Sequence, residues 1–457
     1  MNTKMAERTD VVIVGAGGGG AVLGLALAQK GISTVVLEQA AGPPRGLRGE
    51  ILQPNGQQVL DRLGLLGQLP PDATKSVRLF HFCRVGGELA RPRGEKPVLA
   101  GGGRVGVTTP GEGGWKRLCT VDYDLLPPPY NRAIVTLPNV AHHTILHALE
   151  SCAPGALRYG VQFKGLLREG RRVVGVEAEC QGRPLAISAK LVVGADGAFS
   201  KVREVLGISA SLHLYPEGYL IAILDSPDEM DEARYFVGRR TIFGLFPAAG
   251  RKVYLFYMIP AGSMSAVKNA GLDTLRAKWL RIDPGLEKIF QGLVDWDQTA
   301  YMPAARVRTA SWVADGAVLI GDAAHAMNPH ASQGRMQAMA DAMTLADLIP
   351  SCLERGDWSA EALATYERSR RPQVDMLQRL ADEQVLFWNT GNPLLAFLRD
   401  RVFKTLDRNR RLRHRVLTTT AGLRAEKPFG LLDRLMAAGF LPDPHADRLS
   451  AETSDER

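Results

Sequence analysis

Cysteines are few in this sequence, and their arrangement points to neither a bridge nor a metal site. The 457 residues include five, scattered along the chain without a C-x-x-C pair. An odd, dispersed set argues against a disulfide framework or a zinc site and favours a reducing compartment. We therefore expect no metal, and a chain of this length buries a large core without crosslinks. The cysteines are Cys83, Cys119, Cys152, Cys180 and Cys352.

We also expect neither a targeting segment nor a membrane-spanning one. The first ten residues, MNTKMAERTD, have no apolar core of the kind found in secretory signals. Residues 11–28 carry no charge and are almost long enough to span a bilayer. Five glycines within residues 15–20 would weaken a continuous helix and suit a strand–turn–helix instead. The sequence thus predicts a cytoplasmic protein.

Positive charge is concentrated in one segment instead of being spread over the chain. The formal net charge is +8, and residues 399–415 hold eight Lys or Arg and two Asp. We therefore expect no nucleic-acid partner. Residues 394–417 are predicted to form one basic amphipathic helix, with Leu394, Leu398, Val402 and Leu406 on one stripe. Such a helix either packs against the protein or lies on an anionic membrane surface, which would make the protein peripheral to a membrane.

The clearest motif is G-x-G-x-x-G at Gly15, Gly17 and Gly20. It follows the apolar strand VVIV, opens a helix, and is followed by Glu38 at the end of the next strand. Such glycines let a pyrophosphate approach the backbone at a helix N-terminus, and the acid binds a ribose. Alone, this unit indicates NAD or FAD.

Two later strands also end in a short turn that contains a glycine and an acidic residue. KLVVGADG ends at Asp196, which binds a ligand or merely caps the helix after it. AVLIGD ends at Asp322, where an N-cap is again the simpler alternative. Three acid-tipped strands would converge at the carboxyl edge of one parallel sheet. A ligand reaching all three is long, which favours FAD.

At this point the chain resembles the single-component, FAD-dependent aromatic hydroxylases of the para-hydroxybenzoate hydroxylase superfamily, over residues 10 to about 380. The matches are the glycine motif with Glu38, Arg48 in GLRGE, Asn139 before a helix, Asp196-Gly197, and Gly321-Asp322 with Pro329. The end of the chain is similar to that of ubiquinone-biosynthesis hydroxylases.

The resemblance implies a role for each matching residue. Glu38, with Gln39 beside it, would bind the adenosine ribose, and Arg48 and Asn139 the FAD backbone. Asp196 would serve both FAD and NAD(P)H, and Asp322 the ribityl hydroxyls. Pro329 would lie against the flavin, and the helix start over 330–336, including Ser332 and Gly334, would face its pyrimidine end. No residue is assigned to catalysis itself.

The resemblance also implies an α/β fold with an α+β substrate region. It consists of a Rossmann-like FAD-binding domain, an inserted β-sheet domain and a helical C-terminal segment. The predicted FAD domain is discontinuous, over 8–75, 137–209 and 301–360. The predicted substrate domain covers 76–136 and 210–300, with a hairpin around Gly86-Gly87, and the helical region covers 361–457.

This chain departs from the family pattern after Pro329. Where the family has approximately G-x-G-x-N, it has Ser332, Gly334 and Met336, so that a serine replaces a glycine and a methionine replaces an asparagine. A thioether is a poor acceptor and no donor, so Met336 cannot do what an asparagine does at a flavin edge.

The function implied is hydroxylation of an aromatic, phenolic or polyketide-like and lipophilic small molecule, with NAD(P)H and O2, through a flavin C4a-hydroperoxide. An epoxidase or reductase of an isoprenoid lipid and a non-catalytic lipid-binding protein of the same fold stay open. The sequence does not determine the oligomeric state. Candidate substrate residues, by position alone, are His81, Tyr215, Tyr219, Arg239, Phe246 and Tyr257.

Overall fold

A computed structural model describes residues 7–47, 50–86, 114–425 and 429–449. Its strands, in chain order, are β1 (Glu7–Val14), β2 (Thr34–Glu38), β3 (Glu50–Leu52), β4 (Thr74–Val77), β5 (Leu79–Val85), β6 (Trp115–Asp122), β7 (Ala133–Thr136), β8 (Leu157–Tyr159), β9 (Val161–Glu169), β10 (Arg172–Cys180), β11 (Arg183–Gly194), β12 (Ala210–Asp225), β13 (Glu232–Gly238), β14 (Thr241–Ala248), β15 (Lys252–Pro260), β16 (Thr299–Thr309), β17 (Val313–Ala314) and β18 (Ala317–Leu319).

The α-helices of the same residues alternate with these strands in the first half of the chain and dominate its end. They are α1 (Gly18–Gln29), α2 (Pro54–Arg62), α3 (Val140–Cys152), α4 (Lys201–Leu206), α5 (Met264–Ala270), α6 (Leu272–Ile282), α7 (Glu287–Gln291), α8 (Asp322–His325), α9 (Gly334–Arg355), α10 (Ala360–Trp388), α11 (Pro393–Arg408), α12 (Arg410–Thr420) and α13 (Leu431–Ala437). The α/β class predicted from the sequence is confirmed.

The first sheet positions the three acid-tipped strands. Its order is β17-β18-β11-β1-β2-β8, and β18, β11, β1, β2 and β8 run parallel, while β10 and β9 continue antiparallel from β11. The apolar stretch of β1 is buried on both faces, as parallel strands between helices are. Because the parallel strands share a carboxyl edge, the residues that follow β1, β2, β11 and β18 meet there.

The second sheet has two apolar faces. Its order is β16-β12-β15-β14-β13-β5-β6, antiparallel except where β13 pairs with β5. One face packs on α6 and α7 through Trp279 and Phe290. The other carries Tyr219, Tyr235 and Phe256 and packs on the C-terminal helices. A small third sheet, β3-β7-β4, completes the strands.

The predicted hairpin around Gly86-Gly87 is wrong in its partner strand. β5 pairs antiparallel with β6, which begins only at Trp115, and its other edge is taken by β13. The intervening residues 87–113 lie outside those described.

The division into domains stays a prediction. Its boundaries at 75 and 301 fall inside β4 and β16.

The prediction of a single helix over 394–417 is also wrong. Asn409 has extended backbone angles and its side chain caps α12, so the segment forms two helices. Within α11, Leu394 is 72% exposed, whereas Phe403 is buried against the second sheet. Leu406 of the predicted stripe is also buried there, so part of that stripe packs against the protein, and membrane contact stays a prediction. None of the helices in the described ranges is long and apolar enough to cross a membrane.

Candidate active site

The glycine-rich turn between β1 and α1 has little room for side chains. Gly15 has φ +103°, and a β-carbon there would lie 2.4 Å from the Ala195 carbonyl oxygen. A β-carbon at Gly20 would lie 1.9 Å from the carbonyl oxygen of Gly15. Gly17, by contrast, precedes the helix and has no atom within 4 Å of its β-carbon position. This open space at a helix N-terminus suits a pyrophosphate.

Glu38 ends β2 beside that turn. Its Oε2 accepts a hydrogen bond from the Ala16 amide at 2.9 Å, and its Oε1 accepts one from the Ala40 amide at 2.9 Å. A cavity of about 450 Å³ opens next to the carboxylate and is also lined by Gln39. This places Glu38 and Gln39 where a nucleoside could dock, although their contacts with FAD stay a prediction.

Asp196 follows β11 and caps α4. Its Oδ1 accepts from the Ser200 hydroxyl at 2.5 Å, and its Oδ2 from the amides of Lys201 and Val202 at 2.7 and 3.0 Å. The simpler alternative, helix capping, thus accounts for this carboxylate, and a role toward FAD or NAD(P)H stays a prediction. Arg203 ties the motif to the third one, since its Nη1 donates to the Ala323 carbonyl at 2.7 Å.

Asp322 lies at the third strand end. Gly321 has φ +59°, where glycine is favoured, and Asp322 then begins α8 with an exposed side chain. Its Oδ1 lies 4.0 Å from the β-carbon position of Gly334, the first residue of α9. The acid therefore faces the start of that helix at the open edge of the sheet, as a ligand of ribityl hydroxyls would.

A buried charge cluster fixes the third motif to α9. Asp341 accepts from His325 Nε2 at 2.6 Å, Arg370 Nε at 2.9 Å and the Gly321 amide at 3.0 Å. Burial opposes ionisation of Asp341, but the charges of His325 and Arg370 prevail and lower its pKa to about 2. Sequence reasoning missed this cluster, because its members are 16 and 29 residues apart.

The turn between Pro329 and α9 explains the two departures from the family pattern. Ser332 has φ +51°, a left-handed conformation that favours glycine, and a hydrogen bond joins its hydroxyl to Tyr235 of the second sheet. Met336 is 2% exposed, and its sulfur lies 2.0 Å from the β-carbon position of Gly56 on α2. Met336 therefore fills a gap in the core that Gly56 leaves open.

One further candidate from the sequence, Asn139, lies at the start of α3. Asn139 precedes that helix with φ +61°, and its Nδ2 donates to the Gly46 carbonyl at 2.7 Å. It thereby holds the segment that leads to Arg48. Arg48 itself lies outside the described residues, and contacts of either side chain with FAD stay a prediction.

A polar group lies against the aromatic face of the second sheet, directly after Pro329. The Tyr219 hydroxyl is 3.0 Å from Nε2 of His330 and 3.5 Å from Oδ1 of Asn328. Two further side-chain atoms, His330 Nδ1 and Asn328 Nδ2, are buried without a hydrogen-bond partner among the described residues. Burial lowers the pKa of His330 to about 3, so the ring is neutral at pH 7.

Aromatic rings enclose this polar group. Phe256 stacks on Tyr219 with ring centroids 4.2 Å apart, and the ring of Trp388 on α10 lies 5.7 Å from that of His330. The Tyr219 hydroxyl has one proton to donate, to Asn328 Oδ1 or to His330 Nε2, and His330 Nδ1 carries an N–H only in the second case. In that case His330 Nδ1 and the Asn328 amide nitrogen are two donors, which suit an oxygen acceptor.

Of the substrate candidates named from the sequence, Tyr215, Tyr219 and Phe246 lie on this face, and Tyr219 is the one that belongs to the polar group. Tyr257 packs on the opposite face, Tyr215 bonds Asp382, and Arg239 donates to the Gly391 carbonyl. His81 bonds Thr120 and Glu232. Sequence reasoning named only the range 330–336 and not His330 itself, although its place directly after Pro329 was a usable signal; contact of Pro329 with the flavin stays a prediction.

Comparison with known proteins identifies the family. The FAD binding domain family matches residues 8–381. The chain is 28% identical to 6-methylpretetramide 4-monooxygenase of Streptomyces rimosus, over 81% of this chain and 82% of that protein. It is 29% identical to a kynurenine 3-monooxygenase of Salinispora arenicola (strain CNS-205), over 82% and 79%.

Solved structures share the fold. p-Nitrophenol 4-monooxygenase PnpA from Pseudomonas putida DLL-E4 superposes with a TM-score of 0.73 at 19% identity, over 92% of this chain and all of that one. PqsL of P. aeruginosa, in complex with 2-aminobenzoylacetate, gives 0.69 at 20% identity, over 85% and 99%. The open turn at Gly17 and the exposed Asp322 fit a dinucleotide. The chain belongs to the FAD binding domain family and is an FAD-dependent monooxygenase of the aromatic hydroxylase type.

Proposed function

We propose that this monooxygenase hydroxylates a lipophilic phenolic ring, with NAD(P)H as reductant and O2 as the source of the inserted oxygen. The observation that carries the proposal is a pair of buried nitrogens, Asn328 Nδ2 and His330 Nδ1, which have no hydrogen-bond partner among the described residues and are enclosed by aromatic rings next to Pro329. Bound FAD would supply the reductive activation of O2. Side chains of the second sheet and α10 would bind the substrate, orient it and exclude water.

Each of these side chains has a separate task. The face of Phe256 and the edge of Trp388 would hold a ring by dispersion and exclude water. Asn328 and His330 would donate to its oxygen, which fixes the ring's orientation toward Pro329. The ring oxygen would leave its proton with solvent and bind as a phenolate, because donors without an acceptor favour the anionic form.

The names of related proteins support the class of substrate but not its identity. PnpA is named for p-nitrophenol and the PqsL complex contains 2-aminobenzoylacetate, both aromatic compounds. The aromatic lining found here agrees with such a class.

The test is oxygen-dependent turnover with defined probes. Purified enzyme with FAD is mixed with NADPH or NADH under air and with phenols, their methyl ethers or prenyl lipids. Nicotinamide oxidation, released peroxide and product mass are followed together. We expect a mass gain of one oxygen with phenols and only uncoupled peroxide with the ethers. Oxidation stimulated by a prenyl lipid alone, with epoxide or reduced product, would instead establish the isoprenoid alternative.

A further inference from the structure

The arginine after Gly334 crosses the first turn of the dinucleotide helix. At Gly18, a β-carbon would lie 2.8 Å from Cγ and 3.3 Å from Nε of Arg335. Gly18 is not one of the three glycines of the G-x-G-x-x-G motif, so the motif does not explain it. The missing side chain at Gly18 makes room for the stem of Arg335, and the two residues fit each other.

The guanidinium is held from two sides. It forms an ion pair with Glu50 of β3, and its Nη2 lies 3.3 Å from Nδ1 of His142 on α3. Burial, and then the charge of Arg335, lower the pKa of His142 to about 3, so His142 is neutral and accepts from the guanidinium. His142 also hydrogen-bonds the backbone of Ala16, in the glycine turn. These contacts fix Arg335 relative to the turn itself.

One donor of Arg335 is still available. Its Nε is buried and has no hydrogen-bond partner within the described part of the chain. This Nε lies 3.3 Å from the β-carbon position of Gly18, in the first turn of α1, whose free N–H groups and dipole already favour an anion. Guanidinium N–H groups bind phosphate oxygens strongly, particularly where water is scarce.

We propose that Arg335 is a ligand of the FAD pyrophosphate, supplied by α9 and positioned by Glu50 and His142. Two helices, α1 and α9, would thereby hold one diphosphate, the first by its backbone N–H groups and the second by a side chain. The absence of a side chain at Gly18 permits this arrangement. It explains why a glycine stands at a position where the turn itself does not require one. The proposal rests on FAD as cofactor and is independent of the proposed substrate.

Glu50 makes an alternative role testable. If Arg335 served only to neutralise the buried carboxylate, removing both charges together would restore FAD binding. If Arg335 binds phosphate, the double variant would stay weak. Holoenzymes carrying Arg335→Met, Glu50→Gln or both are therefore diluted, and FAD release is measured by its fluorescence. ADP and adenosine serve as competitors with and without phosphate.

We expect Arg335→Met to weaken FAD and ADP binding at least tenfold and to leave adenosine competition within twofold. The double variant should stay at least tenfold weaker than the parent. Arg62→Met, at an exposed ion pair with Asp347, controls for net charge and should change nothing. Recovery of parental affinity in the double variant, or an equal loss for adenosine, would overturn the proposal. Thermal unfolding in excess FAD shows whether each variant is folded.

Discussion

Two buried histidines, five residues apart, differ in how their nitrogens are satisfied. His325, on the cofactor side, binds Asp341, which also receives Arg370 and a backbone amide. His330, on the substrate side, bonds only the Tyr219 hydroxyl through one nitrogen and leaves the other without a partner in the described ranges. A closed network holds a scaffold in place, whereas an open donor is costly unless a ligand completes it. The contrast separates a closed scaffold at the first sheet from the site where we propose that a ring binds.

The largest effect is expected where the network is closed. Asp341→Asn leaves His325 and Arg370 buried without their carboxylate, which costs about 3–5 kcal/mol of unfolding free energy. Urea unfolding in excess FAD measures this loss. Asp347→Asn on the same helix is the matched control, since its exposed pairs with Lys30 and Arg62 contribute at most about 1 kcal/mol. Equal losses in the two variants would show that the buried cluster is not special.

Asp322 is exposed at the cofactor edge, so its loss should affect FAD and not the fold. Asp322→Ala removes a charged acceptor for ribityl hydroxyls, and we expect FAD affinity to fall on the order of a hundredfold. Flavin release on dilution measures it, and thermal unfolding checks the fold. Asp347→Ala serves as control. Full flavin occupancy in Asp322→Ala at micromolar protein would contradict the assignment.

The neutral state of His330 predicts a dependence of stability on pH. Its pKa is about 3 in the folded protein, below the ordinary value near 6.5. Between these values the unfolded chain binds a proton that the folded chain does not. Unfolding free energy therefore falls with falling pH, by about 1.4 kcal/mol per pH unit for this one group. His330→Gln should reduce the slope by that amount in urea unfolding between pH 6 and pH 4; an unchanged slope would mean that the ring is protonated when buried.

The carboxyl edge of the first sheet was largely predictable from the sequence, and the polar group on the aromatic face of the second sheet was not. Acid-tipped strands and a glycine turn have local signatures, because parallel strands share one carboxyl edge; Glu38 and Asp322 follow from this rule. The position of Asp196 also followed, but its bonds are those of a cap. His330, Trp388 and Phe256 come from three distant segments, and only their packing makes them neighbours.

Met336 illustrates a different limit. A local pattern marked it as a departure, but its partner, Gly56, is 280 residues away in the chain, and no spacing rule connects them. Arg335 and Gly18 are a second such pair. In both pairs a large side chain occupies the space that a glycine leaves open. The pairs become apparent only once α9 is packed against α1 and α2.

The smallest effect is expected at His330, whose Nδ1 has no hydrogen-bond partner among the described residues. It should affect only ligands that carry a phenolic hydroxyl. Tyr219→Phe removes the hydroxyl that hydrogen-bonds His330 Nε2. In the proposed binding mode this hydroxyl donates to Nε2 and so keeps the ring's proton on Nδ1. One neutral hydrogen bond contributes about 0.5–1.5 kcal/mol, so binding of 4-nitrophenol should weaken up to about tenfold. Absorbance near the phenolate band reports both binding and ionisation in the holoenzyme. 4-Nitroanisole, which has no hydroxyl, should bind both proteins alike. Tyr257→Phe, on the opposite face of the same sheet, should change the binding of neither ligand.

If Tyr219→Phe weakened the binding of both ligands equally, the hydroxyl would act on the shape of the pocket and not on the ring oxygen. The unpartnered Nδ1 of His330 would then have to be explained in another way.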